Sequence, residues 1–147
     1  MKKRTVFLYA EDNLDDVVLL KRGFNFEPHA ELHIVRDGQE AIDYLSGKGL
    51  YSHRNRYPLP HVILLDLKMP RVDGFGVLAW LQEKAPKEIR RIPVVVMSTS
   101  TEPADVNRAY DLGANCYLAK PINWAAFQDR MTLLGLFWAE HAETPSP

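Results

Sequence analysis

The sequence predicts one α/β domain built on a five-stranded parallel sheet with helices on both faces, a doubly wound (βα)5 arrangement. Five short apolar runs rich in β-branched residues alternate with helical patterns, which is typical of βαβ units with right-handed crossovers. The third and fourth runs are almost continuously apolar, which indicates strands buried on both faces. A chain of 147 residues, 46% of them hydrophobic, is long enough for one domain with its own core.

Five runs define the strands, and capping residues mark the helices between them. The predicted strands are TVFLYA (5–10), LHIV (32–35), HVILLDL (61–67), IPVVVMS (92–98) and NCYLA (115–119). Asp37, with Glu40 three residues later, is typical of a capping box that begins the second helix. Pro103 suits the first turn of the fourth helix, and Gly113 suits its end.

Two segments lie outside this regular alternation. Residues 46–60 contain Gly, Pro and Arg and exceed the usual length of a connection, so we expect a surface excursion before the third strand. The last residues are rich in Pro and small polar side chains. We therefore assign residues 1–140 to the domain and residues 141–147 to a flexible C-terminal tail.

The bulk composition excludes several classes of protein. Eighteen basic residues nearly balance nineteen acidic ones, so no strong field favours nucleic acid or an anionic membrane. No run approaches the roughly 18 apolar residues of a membrane span, and the first apolar run is too short for a secretory signal. Cys116 is the single cysteine, which fits a reducing cytoplasm. The five histidines are dispersed along the chain and suggest no metal site.

One acidic residue, Asp66, lies near the end of the otherwise largely apolar third strand. A buried carboxylate is costly, so it normally pairs, binds a metal or becomes neutral. Glu11 and Asp12 directly follow the first strand. Ser98 ends the fourth strand, and Lys120 follows the fifth. Because ligands bind at the carboxyl ends of parallel strands, we expect these residues to form one site.

Three carboxylates at one edge require a compensating positive charge. Two unit charges about 4 Å apart repel by roughly 4 kcal/mol at an effective dielectric constant of 20. Mg²⁺ suits such oxygen ligands, while Lys120 suits a phosphoryl oxygen and Ser98 supplies a neutral hydroxyl. This combination indicates transfer of a phosphoryl group to a carboxylate, a reaction that depends mostly on positioning and charge neutralisation.

Four segments also resemble a known family. YAEDNLDD, VILLDLKMPRVDGFGVL, VVVMSTS and GANCYLAKP are similar to the motifs of bacterial response regulator receiver domains. The resemblance covers about residues 5–137, and the order of the acidic pair, the D-x-x-M-P-x-x-D-G segment and the K-P pair is highly specific. It implies the flavodoxin-like receiver fold of the CheY-like superfamily and a role as phosphoacceptor signalling protein rather than enzyme.

The resemblance also implies a role for each site residue. It implies Asp66 as phosphoacceptor, Lys120, Ser98 and Tyr117 as catalytic and switch residues, and Glu11, Asp12, Asp66 and the backbone carbonyl of Lys68 as ligands of Mg²⁺. Tyr117 would be an aromatic switch that turns when Ser98 bonds the phosphoryl group, altering the fourth and fifth strand–helix units. Slow autodephosphorylation and a cis bond before Pro121 belong to the same expectation.

A narrower resemblance concerns the partner. GANCYLAKP, the long segment before the third strand and the FW pair at 137–138 are similar to the stand-alone regulators that serve phytochrome-type histidine kinases. A sensor histidine kinase of the phytochrome type is therefore the expected partner. The alternative is that the chain is a stand-alone regulator of some other sensor kinase.

Three other functions are weighed against this interpretation. An aspartyl-phosphate phosphatase typically carries a second acid two residues after its nucleophile, where this chain has Lys68. A pseudo-receiver, which binds partners without phosphorylation, would have a broken pocket. A nucleotide-binding protein would need a Gly-rich phosphate loop after a strand, and the sequence contains none.

The fifth helix, expected over 123–141, is more apolar than docking on the sheet requires. The predicted docking stripe consists of Trp124, Phe127, Met131, Leu134 and Trp138. Leu133, Leu136 and Phe137 are further apolar positions beside it. We expect them to form a homodimer interface through the fourth and fifth strand–helix units, the alternative being that they wrap around the edge of the domain.

Overall fold

The computed structural model describes residues 4–146, and its centre is the predicted five-stranded parallel sheet. The strands are β1 (Thr5–Ala10), β2 (Ala30–Val35), β3 (Val62–Asp66), β4 (Val94–Ser98) and β5 (Cys116–Ala119). They are ordered β2-β1-β3-β4-β5, and every neighbouring pair is parallel. The order reverses between β1 and β3, where a ligand crevice forms in open sheets of this kind.

Helices connect the strands and cover both faces of the sheet. They are α1 (Leu14–Phe24), α2 (Gly38–Ser46), α3 (Gly74–Glu83), the short α4 (Lys87–Arg90), α5 (Pro103–Asp111) and α6 (Trp124–Leu136), followed by a π-helical turn at Phe137–His141. Helices α1 and α6 lie on one face, and α2, α3 and α5 lie on the other. The predicted caps are confirmed. Asp37 accepts a hydrogen bond from the Glu40 amide at 2.7 Å, Pro103 opens α5, and Gly113 follows it with a φ of 100°. No helix within residues 4–146 is long and apolar enough to cross a membrane.

Alternate strand residues build two separate cores, one on each face of the sheet. Phe7 and Tyr9 of β1 face the core formed with α1 and α6, whereas Leu8 and Ala10 face the core formed with α2, α3 and α5. All four are fully buried. Because burial of one large apolar side chain stabilises a fold by about 1.5–3 kcal/mol, both faces hold the strand ends firmly in place.

The predicted docking stripe of α6 is confirmed in its centre and wrong at its start. Phe127, Met131 and Leu134 are buried, but Trp124 is 69% exposed. Trp124 is the first residue of the helix, and it borders a cavity of about 190 Å³ together with Val18 of α1. Its side chain therefore lies on the outer surface, beyond the core that the rest of the stripe contacts.

Residues 46–60 are more than a surface excursion. The rings of Tyr51 and Tyr57 are half-buried and meet edge to face at 5.1 Å. Arg54 donates hydrogen bonds to the carbonyls of Tyr44 at 2.8 Å and Leu45 at 2.9 Å, which satisfies the end of α2. The prediction missed this packing because the aromatic residues of the segment follow no regular period.

The C-terminal segment lies against the opposite end of the sheet from the predicted site. Nδ1 of His29 and a carboxylate oxygen of Glu140 are 2.7 Å apart, and the buried carboxylate of Glu27 lies beside them. Arg91 donates to the carbonyl of Ser146 at 2.6 Å. The sequence analysis did not predict the cluster of Glu27, His29 and Glu140, because Glu140 is 111 residues away from His29 in the chain. The flexibility assigned to residues 141–147 stays a prediction.

Candidate functional site

Glu11 directly follows β1, at the point where the strand order of the sheet reverses. Its amide donates to the carbonyl of Val35 at 3.0 Å, which continues the pairing with β2. The carboxylate, in a residue only 1% exposed, accepts a hydrogen bond from the Tyr9 hydroxyl at 2.9 Å and contacts the ammonium of Lys120. Burial raises the pKa of Glu11 to about 7, the nearby charge of Asp66 adds to this rise, and Lys120 opposes it.

Asp66 ends β3 and is also buried, at 6% exposure. Its carboxylate oxygen Oδ1 lies 3.4 Å from Nζ of Lys120, so the charge that the strand carries is met by a buried cation. The backbone behind Asp66 is closely covered by the start of α3. A Cβ atom on Gly74 would lie 2.4 Å from the Asp66 carbonyl oxygen, so only glycine permits this approach.

Lys120 is the centre of the ionic network. The ammonium contacts Glu11, donates to Asp16 at 2.9 Å and lies 3.4 Å from Asp66, while its side chain is only 5% exposed. The Lys120 amide donates to the Ser98 carbonyl at 2.7 Å, which fixes the residue beside β4. Burial opposes protonation, but the carboxylates of Asp66 and Glu11 outweigh it and raise the pKa of Lys120, so this residue is a permanent cation.

Two contributors to the network escaped the sequence analysis, Asp16 and Tyr9. Asp16 lies in the first turn of α1 and was indistinguishable from an ordinary acidic residue at a helix start. Tyr9 belongs to an apolar strand and was counted only as core. Its buried hydroxyl donates to Glu11, and burial together with the charge of Glu11 raises the pKa of Tyr9, so the hydroxyl keeps its proton.

The three acidic residues predicted as metal ligands come together. Carboxylate oxygens of Glu11, Asp12 and Asp66 all lie within 4.8 Å of one another. Asp12 is exposed, whereas the other two are buried. Lys68 lines the same cavity. A set of hard oxygen donors with access to solvent fits a divalent cation such as Mg²⁺ or Mn²⁺, which retains several waters.

Ser98 and Tyr117 lie beside this cluster rather than in it. Ser98 is buried at the end of β4, and its hydroxyl accepts a hydrogen bond from the Ser100 amide at 3.1 Å. Ser98 lines an adjoining cavity of about 540 Å³ that shares Asp12 and Lys68 with the carboxylate cluster. Tyr117 is half-buried, and its hydroxyl donates to the Ser100 carbonyl at 2.8 Å. A chain of contacts thus leads from the pocket to the ring of Tyr117.

The bond before Pro121 is not cis, since every peptide bond in the part of the chain that the structure describes is trans. The resemblance therefore gave the wrong isomer here. A trans bond before proline is intrinsically favoured by about 0.5–1 kcal/mol, so a K-P pair alone does not dictate the cis form.

The family model of the response regulator receiver domain matches residues 7–132 of this chain. The chain is 36% identical to response regulator Rcp1 of Synechocystis sp. over 142 residues, which cover 96% of this chain and 93% of that protein. It is also 36% identical to the probable methanogenesis regulatory protein FilR2 of Methanothrix harundinacea over 143 residues, which cover 97% and 88% of the two chains.

Solved structures resemble the chain over almost its full length. The phosphorylated cyanobacterial phytochrome response regulator RcpA gives a TM-score of 0.89 at 36% identity, covering 97% of this chain and 99% of that one. The Mn²⁺-bound form of Rcp1 gives a TM-score of 0.87 at 36% identity with the same coverage. Similarity in fold and in sequence thus extends over the same span.

Proposed function

The chain belongs to the response regulator receiver family, and on this basis we propose that Asp66 is the residue that accepts the phosphoryl group. The observation that carries the proposal is the position of Asp66, a buried carboxylate at the switch point of the sheet within reach of Lys120 and two further carboxylates. Family membership also implies a histidine kinase as the phosphoryl donor.

In the proposed reaction, a carboxylate oxygen of Asp66 attacks the phosphorus of a phosphohistidine. The new O–P bond forms as the P–N bond breaks, and the electron pair of that bond stays on the imidazole nitrogen of the donor. Lys120 neutralises charge on the phosphoryl oxygens, because Glu11 and Asp16 direct its ammonium towards Asp66. Such preorganised charge is the main contribution that a protein makes to phosphoryl transfer.

We assign Mg²⁺ as the metal, held by Glu11, Asp12, Asp66 and the backbone carbonyl of Lys68. When bound, the ion would supply charge neutralisation and orientation for the phosphoryl oxygens. The cluster of carboxylates within 4.8 Å supports a divalent cation, and the Mn²⁺-bound form of Rcp1 is a related precedent. Oxygen ligands suit both ions, and we propose Mg²⁺ because phosphoryl-transfer sites commonly use it together with one or two carboxylates.

The proposed switch runs through Ser98, Ser100 and Tyr117. A phosphoryl group on Asp66 would attract the Ser98 hydroxyl, which at present accepts from the Ser100 amide. Movement of Ser100 would in turn release the Tyr117 hydroxyl from its carbonyl, so the ring could turn inward and change the surface of β4–α5 and β5–α6. Lys68 and Ser100 flank the pocket and should set how readily water reaches the acyl phosphate, which we expect to hydrolyse slowly.

An apolar surface beside the pocket suits the kinase. Leu14 and Val18 of α1 are 60% and 45% exposed, Ile122 is completely exposed, and Trp124 is 69% exposed. These residues flank the end of the sheet at which Asp66 lies, so a partner docked on them could present its phosphohistidine to Asp66. We propose a phytochrome-type kinase as the partner, because the similar RcpA is a phytochrome response regulator. We propose the cytoplasm as the location, because a single cysteine fits a reducing compartment.

We further propose a homodimer through the fourth and fifth strand–helix units. Leu133, Leu136 and Phe137 are 65%, 41% and 52% exposed and recur at helical spacing along one side of α6 and the turn that follows it. Burial against a second copy would remove this apolar stripe from water. The proposed movement of Ser98 and Tyr117 would change the surface of these same two strand–helix units. The strength of dimerisation should therefore depend on phosphorylation of Asp66.

Acetyl phosphate with Mg²⁺ tests the phosphoacceptor directly. We expect intact-mass measurements to show one added phosphoryl group on the wild-type chain and none on Asp66→Asn. Asp15→Asn, which neutralises an exposed acid in α1, should be phosphorylated like the wild type. A wild-type chain that takes up no phosphoryl group would indicate a pseudo-receiver, and a phosphorylated Asp66→Asn chain would exclude Asp66 as the acceptor.

Docking is tested separately by comparing two phosphoryl donors. Ile122→Asp should slow transfer from a phosphorylated histidine kinase while leaving phosphorylation by acetyl phosphate unchanged, because only the protein donor needs the apolar surface. Leu50→Asp, which changes a leucine that is 57% exposed outside that surface, is the matched control. Equal effects of Ile122→Asp on both donors would contradict the assigned docking surface.

A further inference from the structure

Arg71 has an unusual backbone conformation in the loop that joins β3 to α3. Its φ of 64° is the one left-handed value at a non-glycine residue within residues 4–146. A long side chain disfavours this conformation, so surrounding contacts must maintain it. The same loop carries Lys68, which lines the carboxylate cavity.

The guanidinium of Arg71 makes a two-point ion pair with Asp37. Nε lies 2.9 Å from Oδ2, and the second nitrogen lies 3.1 Å from Oδ1. Burial alone would raise the pKa of Asp37, but the hydrogen bonds from Arg71 and from the Glu40 amide outweigh it and lower that pKa. The carboxylate is therefore a fixed anion that also caps α2.

A backbone contact reinforces the ion pair. The Gly38 amide donates to the Val72 carbonyl at 2.9 Å, and a Cβ on Gly38 would lie 2.0 Å from that oxygen. Asp37 and Gly38 follow β2, whereas Arg71 and Val72 follow β3. The contacts thus join the turn after β2 to the loop after β3, across the end of β1.

This arrangement contributes little to the stability of the fold itself. The Arg71 side chain is 59% exposed, and ion pairs at such positions stabilise proteins weakly. A glycine at position 71 would adopt the same φ without strain. The pair instead ties the loop between Leu67 and Val72 to the turn after β2.

We propose that Arg71 and Asp37 are positioning residues that hold the β3–α3 loop so that the Lys68 carbonyl can serve the divalent cation. The proposal rests on the proposed function, because it takes the pocket of Asp12 and Asp66 as the cation site. Neither residue of the pair lines the carboxylate cavity. They act through the loop, in the way that outer contacts orient metal ligands elsewhere.

Calorimetric titration with Mg²⁺ alone is the test, combined with unfolding measured without metal. We expect Arg71→Gly to weaken Mg²⁺ binding roughly tenfold, a typical effect of losing an outer contact, while its melting temperature stays equal to or above that of the wild type. Amide hydrogen exchange over residues 68–73 should accelerate. Loss of a nearby positive charge alone would tighten cation binding, so weaker binding separates positioning from long-range electrostatics.

Asp37→Asn completes the design because asparagine still caps a helix. It should weaken Mg²⁺ binding like Arg71→Gly, and the double variant should bind no more weakly than either single variant. Arg36→Ala removes an exposed positive charge next to Asp37, so it controls for the positive charge that Arg71→Gly removes. Unchanged or tighter binding by Arg71→Gly, while Asp12→Ala abolishes binding, would overturn the positioning role alone. Unchanged binding by Asp12→Ala would overturn the assigned cation site and the positioning role together.

Discussion

Asp66→Asn should stabilise the metal-free protein at pH 8, although it removes the phosphoacceptor. At an effective dielectric constant of 20 and the 3.4 Å separation from Lys120, the substitution forfeits an attraction of about 5 kcal/mol. It relieves repulsion with Glu11, whose carboxylate oxygen lies within 4.8 Å, of at least about 3.5 kcal/mol. Asp12 is exposed, so its repulsion is screened and adds less than about 1 kcal/mol.

The decisive contribution is desolvation. Direct interactions nearly cancel, whereas a buried ionised carboxylate carries a penalty of several kcal/mol that a neutral amide avoids. Lys120 is not left unpaired in the variant, because Glu11 and Asp16 retain it. We therefore expect a gain of about 1–2 kcal/mol, which corresponds to a rise in melting temperature of about 3–6 °C.

Urea unfolding in EDTA at pH 6, 7 and 8 measures this gain. Burial and Asp66 keep the pKa of Glu11 at about 7, so at pH 6 Glu11 is largely neutral and the repulsion that Asp66→Asn relieves is smaller. The gain should grow as the pH rises through 7. Saturating Mg²⁺ should raise the free energy of unfolding of the wild type more than that of the variant, which lacks one carboxylate ligand. Destabilisation by Asp66→Asn at pH 8 without metal would refute the reasoning, and Asp15→Asn should show no such trend.

Three further predictions concern the cation and the surface. Asp12→Ala should abolish both Mg²⁺ binding and phosphorylation, because the direct carboxylate ligands are few; unchanged calorimetric affinity would contradict this. Mg²⁺ affinity of the wild type should rise between pH 6 and 8 as Glu11, with its pKa of about 7, loses its proton, and titrations in buffers of different ionisation enthalpy should detect proton release on binding. Leu133→Glu should weaken self-association measured by sedimentation at tens of micromolar with beryllofluoride, whereas a wild-type chain that is monomeric with and without beryllofluoride would exclude the homodimer.

The sequence predicted the residues whose positions depend only on strand ends. Glu11, Asp66 and Lys120 belong to this class, because parallel strands bring their carboxyl ends to one edge whatever the details of packing. Trp124 was misassigned because spacing gives the face of a helix but not how far its first turn projects beyond the core. The backbone conformation of Arg71 could not be predicted from the sequence. Its left-handed φ depends on contacts with Asp37, which is distant in the chain, rather than on local preference.

The charge that the third strand carries is met by Lys120, but the network around it keeps an excess of negative charge. Lys120 is a single buried cation, and it contacts Glu11, Asp16 and Asp66. When these three are ionised, two negative charges are left over, to which Asp12 adds a third. A divalent cation reduces this excess to one negative charge before any phosphoryl group arrives, and the phosphoryl oxygens then add negative charge again. Cation binding and phosphorylation should therefore favour each other, since each reduces the electrostatic cost of the other.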